Sequence, residues 1–342
     1  MKYIIELNHP KHYYQFKYIR KNLLDEGHQV WVLARDKDVL LNVLEEENVD
    51  YIIFGKHRKS LFAKILGTLS ILVSYISIFF KLKPDVVISK ASFYGTFVAR
   101  LFFKKAIIFP DSEVVKLTNK IVAPMSNLVV TPETFGLNYG KKHVKVPGFF
   151  ENCYLCPTVF TPDSSIIDKY GLKQPYAVFR FVGWYANHDV GNNGFTLEEK
   201  ISFVREVEKN MTVYISSEKE LPDELKKYKL PTPAAQIHSV LSFADLYLGD
   251  SQTMATESAL LGTPAIRPNS FVGPNDMTNF IVLEKKYGLL KNIASYNDVL
   301  NTLIDFPCFI AFPQDFFHAS LVLYSHLVFL HSRKLSLKIR EN

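Results

Sequence analysis

The residues best placed for chemistry lie where apolar runs give way to short polar turns. The richest such place is residues 249–262 (GDSQTMATESALLG), directly after the apolar stretch that ends at Leu248. A Gly/Asp/Ser turn there opens a helix, and the N–H groups of a helix N-terminus, at the positive end of its dipole, form a seat for an anion. Gly249, Asp250, Ser251, Gln252 and Thr253 would surround a diphosphate, with Ser251, Gln252 and Thr253 adding side-chain donors. Glu257 follows Thr253 by one helical turn, on the same face, where a carboxylate can accept both hydroxyls of a ribose. The competing reading is simple N-capping by Asp250 or Ser251, with Glu257 a solvated surface charge.

A second place is residues 180–194 (RFVGWYANHDVGNNG), an irregular polar loop with three glycines that follows a strand. Arg180 suits bidentate binding of phosphate. His188 can donate to a phosphate or a sugar hydroxyl, and Asp189 can orient it. The plainer alternative is a turn-rich connection with a strand-end arginine in an ion pair. Ser216 and Ser217, in the SSE that follows the next strand, and the region of Ile237 and His238 are weaker candidates for a base or ribose pocket.

In the first half, NHPKH (residues 8–12) links the first strand to the first helix. His12 would start that helix with a side chain that titrates near neutrality, which suits a general base; His9 competes, and a cap or packed histidine is the ordinary alternative. Asp111 and Glu113 (DSE) follow a further strand, and TPE at residues 131–133 another. Paired carboxylates at strand ends bind hydroxyls or assist a base, and equally complement a helix dipole.

The elements that must position these residues are repeated β–α units. Strands at residues 3–7, 29–34, 50–54, 85–89, 106–109 and 128–131 alternate with helices at 12–26, 38–47, 61–80 and 91–102. Continuous Val/Ile runs of this kind indicate parallel sheets covered on both faces. The rhythm breaks over residues 146–175 and resumes with strands at 176–181, 212–216, 246–249 and 264–267. We therefore expect an α/β chain of two doubly wound Rossmann-like domains facing a central cleft. Residues 1–150 are expected to form the first domain, 151–175 the linker, 176–305 the second domain, and 306–342 a tail with no clear period. Ligands of open α/β sheets bind at the carboxyl ends of the strands.

Composition narrows the function. Of 342 residues, 48% are hydrophobic and 22% charged, and 40 Lys plus Arg against 34 Asp plus Glu leave a formal charge of +6. That excess suits an anionic small ligand or membrane surface and is too diffuse for nucleic acid. The three cysteines include Cys153 and Cys156 at C-x-x-C spacing, with no second pair at zinc spacing. No metal site is expected, because D-x-D is absent between apolar strands, and the absence of G-x-S-x-G removes the usual hydrolase elbow. Residues 61–80 (LFAKILGTLSILVSYISIFF) have the length of a membrane span. Yet Ser60, Lys64, Gly67, Ser70, Ser74, Ser77 and Lys81 draw a small polar stripe along them, which favours a helix packed on a sheet with part of its surface towards lipid. Lys56, Arg58, Lys59, Lys64, Lys81 and Lys83 would meet anionic headgroups, making residues 56–83 a peripheral membrane contact. No signal-peptide pattern opens the chain, so a cytoplasmic protein at the inner membrane face is expected.

Together the segments IELNHPKHYYQF, GHQVWVLARDKD, FGKHRKS, KPDVVIS, FPDSE, TPETF, RFVGWYANHDVGNNG, ISSEKELPDEL and DSQTMATESALLGTPAI resemble domain-of-unknown-function family 354 over residues 1–305. The resemblance implies a GT-B-type fold close to the non-hydrolysing sugar-nucleotide 2-epimerases. It implies glycosyl transfer in surface-polysaccharide synthesis, from a nucleotide-sugar, UDP-linked by preference, to a glycan or lipid-linked acceptor. It places the family's helix-start histidine on His12, its acidic pair on Asp111 and Glu113, its C-lobe loop on Arg180, Trp184, His188 and Asp189, and its turn-helix motif on residues 249–257. In the resulting scheme, metal-independent and inverting, Arg180, His188 and the 251–253 amides hold the diphosphate and Glu257 the ribose. His12 then deprotonates the acceptor. The rivals are a sugar-nucleotide 2-epimerase and a non-catalytic nucleotide-sugar-binding scaffold.

Overall fold

The computed structural model describes residues 1–36, 40–56, 61–113, 115, 117–181, 195–217, 220–269, 272–273 and 276–304, with the side chains of 61–67 and 119 excepted. Trp184, His188, Asp189 and the 306–342 tail lie outside the described residues. The chain divides into two compact units between Tyr154 and Leu155.

In the N-terminal unit, strands β1 (Lys2–Leu7), β2 (Gln29–Asp36), β3 (Tyr51–Lys56), β4 (Val86–Ser89), β5 (Lys105–Ile108), β6 (Leu128–Pro132) and β7 (His143–Val146) make one sheet in the order β3-β2-β1-β4-β5-β6-β7. Every recorded pairing in it is parallel. Helices α1 (Pro10–Asp25), α2 (Leu40–Glu46), α3 (Leu61–Leu82) and α4 (Phe93–Leu101) cross between strands. A π-helical turn at Thr118–Val122 runs into the short α5 (Ala123–Met125). Alternation along β1 shows why its strand reads as an unbroken apolar run. Tyr3, Ile5 and Leu7 enter one core with α1 and α2, while Ile4 enters another with Ile71, Tyr75 and Phe79 of α3. Burial on both faces removes the polar alternation of a half-exposed strand. The expected helix at 91–102 begins later, at Phe93, because Ala91 is left-handed (φ 58) and Ser92 is the N-cap. The expected linker is also partly structured: β7 closes the sheet edge, α6 (Asn152–Leu155) crosses the division between units, and α7 (Ser165–Tyr170) follows.

The C-terminal unit repeats the plan with a parallel sheet of order β12-β11-β10-β8-β9. Its strands are β8 (Tyr176–Arg180), β9 (Thr212–Ile215), β10 (Leu246–Gly249), β11 (Ala265–Pro268) and β12 (Leu290–Ile293). Its helices are α8 (Leu197–Glu208), α9 (Ile237–Ser242), α10 (Gln252–Leu261), α11 (Thr278–Lys285) and α12 (Tyr296–Ile304). Sequence reading did not place α11, β12 or α12. A capping box at Thr196 and Glu199 starts α8, and Gly262 in the left-handed region (φ 91) ends α10.

Candidate functional site

Each unit gathers polar side chains at the carboxyl edge of its own sheet. In the C-terminal unit the edge is built around Gly249, whose register partner across β10 and β8 is Arg180. A Cβ at Gly249 would collide with the backbone carbonyl of Arg180 and come 2.7 Å from the Tyr247 hydroxyl, so only glycine lets the two strand ends approach. The chain then turns through Asp250 and Ser251 into α10. Ser251 is the N-cap, in extended conformation, and makes no side-chain cap hydrogen bond. The first-turn N–H groups of a ten-residue helix thus face the strand end without the usual capping oxygen. Gln252 is exposed, and Ser251 and Thr253 are half-buried. Ser216 and Ser217 follow β9 on the same sheet edge, also half-buried.

Glu257 is not a surface charge. It is 4% exposed and meets the 6% exposed His238 of α9, with Oε1 and Nε2 3.2 Å apart. A carboxylate only accepts, so His238 Nε2–H donates, and Phe160 packs edge-on against the imidazole. The fold therefore unites two of the expected residues, Glu257 and His238, as one buried pair. Lys200, which carried no signal in the sequence, is also buried here; it sits on the core-facing side of α8 with its ammonium over the Phe181 ring. Burial pushes its pKa down and Asp250 pulls it back up.

In the N-terminal unit, chain direction along the sheet reverses between β1 and β4, the switch point at which open α/β sheets bind ligands. His9 caps α1, accepting from the Lys11 N–H, and Pro10 begins the helix. His12 Nδ1 accepts the Asn8 backbone N–H at 3.1 Å. Burial, with Lys90 nearby, holds its pKa well below the usual imidazole range. The neutral ring with Nδ1 accepting carries its proton on Nε2. That corrects the expected base role: His12 presents a donor to its surroundings, because its only lone pair is already engaged.

Around His12 runs an ion network that spacing did not reveal. Glu151 Oε1 lies 2.8 Å from Lys11 Nζ, which is 3.7 Å from Asp111 Oδ2; Lys90 Nζ reaches the same oxygen at 3.2 Å. Lys90 follows β4, is 2% exposed at its side chain, and stands 3.9 Å over the Phe150 ring. Burial pushes its pKa down to about 8, with Asp111 opposing the shift. For Asp111, desolvation alone would raise the pKa, but Lys90 and Lys11 overcome it and hold the carboxyl well below its usual range. Asp111 is thus a fixed anion and a weak base. Glu113 goes elsewhere: it accepts the Gly136 N–H at 3.1 Å, so the two expected carboxylates do not act as a pair.

Glu6 is a further residue missed. It points from the central strand into the α3–α4 face, fully buried, and accepts from Asn8 Nδ2. Burial pushes its carboxyl up in pKa, with the polar groups of Ser92, Asn8 and Tyr75 working against the shift. A Cβ at Gly95 would collide with its Oε2 and come 2.8 Å from the Tyr75 hydroxyl. The available signal was a lone glutamate inside an apolar strand (YIIEL). Among the described residues, no cluster of three or more His, Cys, Asp or Glu could hold a metal ion.

Comparison with known proteins bears on the fold. Residues 1–159 match the family model described as protein of unknown function DUF354. The resemblance read from the sequence is borne out over that stretch. An uncharacterized protein of Methanocaldococcus jannaschii is 24% identical over 279 residues, covering 77% of this chain and 80% of its own. Among solved structures, the UDP-GlcNAc 2-epimerase of the same organism, in complex with UDP-GlcNAc and UDP, superimposes with a TM-score of 0.66 at 14% identity, over 90% of this chain and 92% of its own. The spinosyn forosaminyltransferase SpnP gives 0.62 at 13% identity over 98% and 99%. The two parallel sheets with their covering helices are a GT-B-like α/β fold.

Proposed function

We propose that this protein transfers a sugar from a nucleotide-sugar, UDP-linked by preference, to a glycan or lipid-linked acceptor in surface-polysaccharide synthesis. The observation that carries the reading is in the C-terminal unit. There the uncapped start of α10 and the Arg180 strand end are drawn together at Gly249, next to the buried Glu257–His238 pair. Helix N–H groups and a guanidinium would offset diphosphate charge as the leaving group departs, without a metal. The Glu257 carboxylate, held in orientation by His238, would accept the ribose hydroxyls. On the acceptor side, the N-terminal unit supplies the Nε2–H of His12 and the Lys90 and Lys11 ammoniums as donors and Asp111 as an anionic acceptor. Inversion at the sugar carbon would follow direct attack by the acceptor hydroxyl, with the sugar–phosphate bond breaking, the nucleoside diphosphate leaving and the hydroxyl proton passing to that leaving group or to solvent. The solved proteins with similar folds include one bound to UDP-GlcNAc and one named as a sugar transferase, which fits this substrate class.

The test is a thermal-shift and calorimetric screen of UDP-, GDP-, CMP- and dTDP-linked sugars, since a ligand that binds the native state stabilises it in proportion to its excess over Kd. One nucleotide series should bind. No binding across all four would remove the reading. The similarity to the epimerase structure supports 2-epimerisation as the second reading; a product still attached to its nucleotide distinguishes it from transfer.

A further inference from the structure

Helix α3 has two apolar faces, and the unit's core uses one. Ile71, Tyr75 and Phe79 are buried, whereas Leu69, Val73 and Phe80 are 57%, 67% and 63% exposed. At about 100° per residue those three fall within roughly 40° of one another, so they form a single stripe along the helix. Phe80 packs edge-on against Phe102, with ring centroids 4.8 Å apart, and this contact joins the stripe to the end of α4. There Leu101 is 51% exposed and Phe103 97%.

Phe103 is unusual on two counts. Its φ of 55 lies in the left-handed region, just beyond the C-cap Phe102. The bonds Phe103 N–H to Arg100 O and Lys104 N–H to Ala99 O close the helix in the way that ordinarily selects glycine. A phenyl ring in that position is disfavoured by the backbone and by the water around it.

Charge indicates what covers this face. Leaving out Lys90, which is buried against Asp111, residues 51–110 contain nine Lys and Arg against one acidic residue, Asp85, a net +8 where the whole chain has +6, so the remainder is net negative. Lys81, Lys83 and Arg100 are exposed beside the stripe, with Lys104 half-buried. A second copy of the chain packed on the same face would bring these cations against their own counterparts. An anionic lipid surface accepts the apolar stripe and the cations together. Ile71, Tyr75 and Phe79 bind one face of α3 to the core of its own unit, so α3 would lie along a lipid surface rather than pass through it.

We propose that Leu69, Val73 and Phe80 of α3, with Leu101 and Phe103 at the end of α4, dock the protein on an anionic lipid bilayer. The proposal does not depend on the nucleotide-sugar reading. It is tested by co-sedimentation of the full chain with vesicles of phosphatidylcholine alone and of phosphatidylcholine with phosphatidylglycerol. The wild type should bind the second kind and lose binding as salt rises. Phe103→Gly combined with Phe80→Ser should lower partitioning about tenfold, each ring giving up apolar area to water. Phe103→Gly alone should keep or raise the melting temperature, because glycine suits the backbone there, which separates lost docking from lost folding. Lys81→Glu with Arg100→Glu should lower binding at least about 25-fold, from the loss of two cations at about a fivefold effect each. Equal partitioning of wild type to both vesicles, no partitioning to either, or wild-type binding by the Phe80/Phe103 double variant would each overturn the proposal. So would self-association in sedimentation equilibrium that Phe103→Gly abolishes without any lipid binding.

Discussion

Replacing Glu257 by glutamine separates a ligand-binding carboxylate from a merely structural one. In the structure the Glu257 carboxylate accepts from His238 Nε2 at 3.2 Å, with both residues nearly fully buried. The glutamine carbonyl can take the same hydrogen bond and the volume hardly changes. Folding stability should therefore fall by no more than about 1 kcal/mol, the net worth of an ordinary hydrogen bond. A ribose diol bound to the carboxylate loses far more, because one charge-assisted acceptor is gone and the amide N–H₂ now opposes a hydroxyl. Hydrogen bonds to charged groups contribute about 1.5–3 kcal/mol, so Kd should rise roughly ten- to hundredfold. Glu257→Ala is the poorer probe: stranding His238 and opening a cavity costs about 3–5 kcal/mol, and binding would be lost with the fold. The assay is isothermal titration of the best nucleotide-sugar from the screen, beside a urea melt of each variant. An unchanged Kd in Glu257→Gln, with wild-type melting, would refute the ribose assignment and leave Glu257 as a partner of His238 alone.

Other perturbations address the remaining features. Lys90 has its pKa lowered from 10.5 to about 8, so the folded state binds fewer protons than the unfolded state between those values, and stability rises with pH there. Relative to Lys90→Met, the wild type should gain about 3 kcal/mol between pH 8 and 10.5, measured by denaturant unfolding; a flat difference would contradict the burial argument. His12 should be neutral and protonated on Nε2 at pH 7 by nitrogen NMR, and an imidazolium or an Nδ1–H tautomer would contradict the Asn8 hydrogen bond. Gly249→Ala should destabilise by about 3 kcal/mol and abolish nucleotide binding, because the atom in the way belongs to the Arg180 backbone and cannot swing aside. A melt within about 0.5 kcal/mol of wild type would show that the strand ends tolerate separation.

Sequence alone determined the fold class and most of its elements. Strands such as DVVIS and LYLG are apolar along their length because both faces of a parallel sheet are buried, and local periodicity reports that directly. Residues 249–262 were legible for a similar reason: the Gly249 close approach, the turn, the helix start and the terminal Gly262 are encoded by neighbours in the chain. Tertiary structure alone decided the charge network and the protonation states. Glu151, Lys11, Asp111 and Lys90 converge from four separate segments, and no spacing rule links them. His12 looked like a base because histidine titrates near neutrality; the Asn8 N–H and the neighbouring Lys90 made it a neutral donor. Glu257 reads in the sequence as a ribose acceptor, with a solvated surface charge as the alternative, because spacing alone reports the helix face and not its burial; α9 packs His238 against it. A pKa depends on what surrounds a group in three dimensions, and those surroundings come from residues distant in the chain.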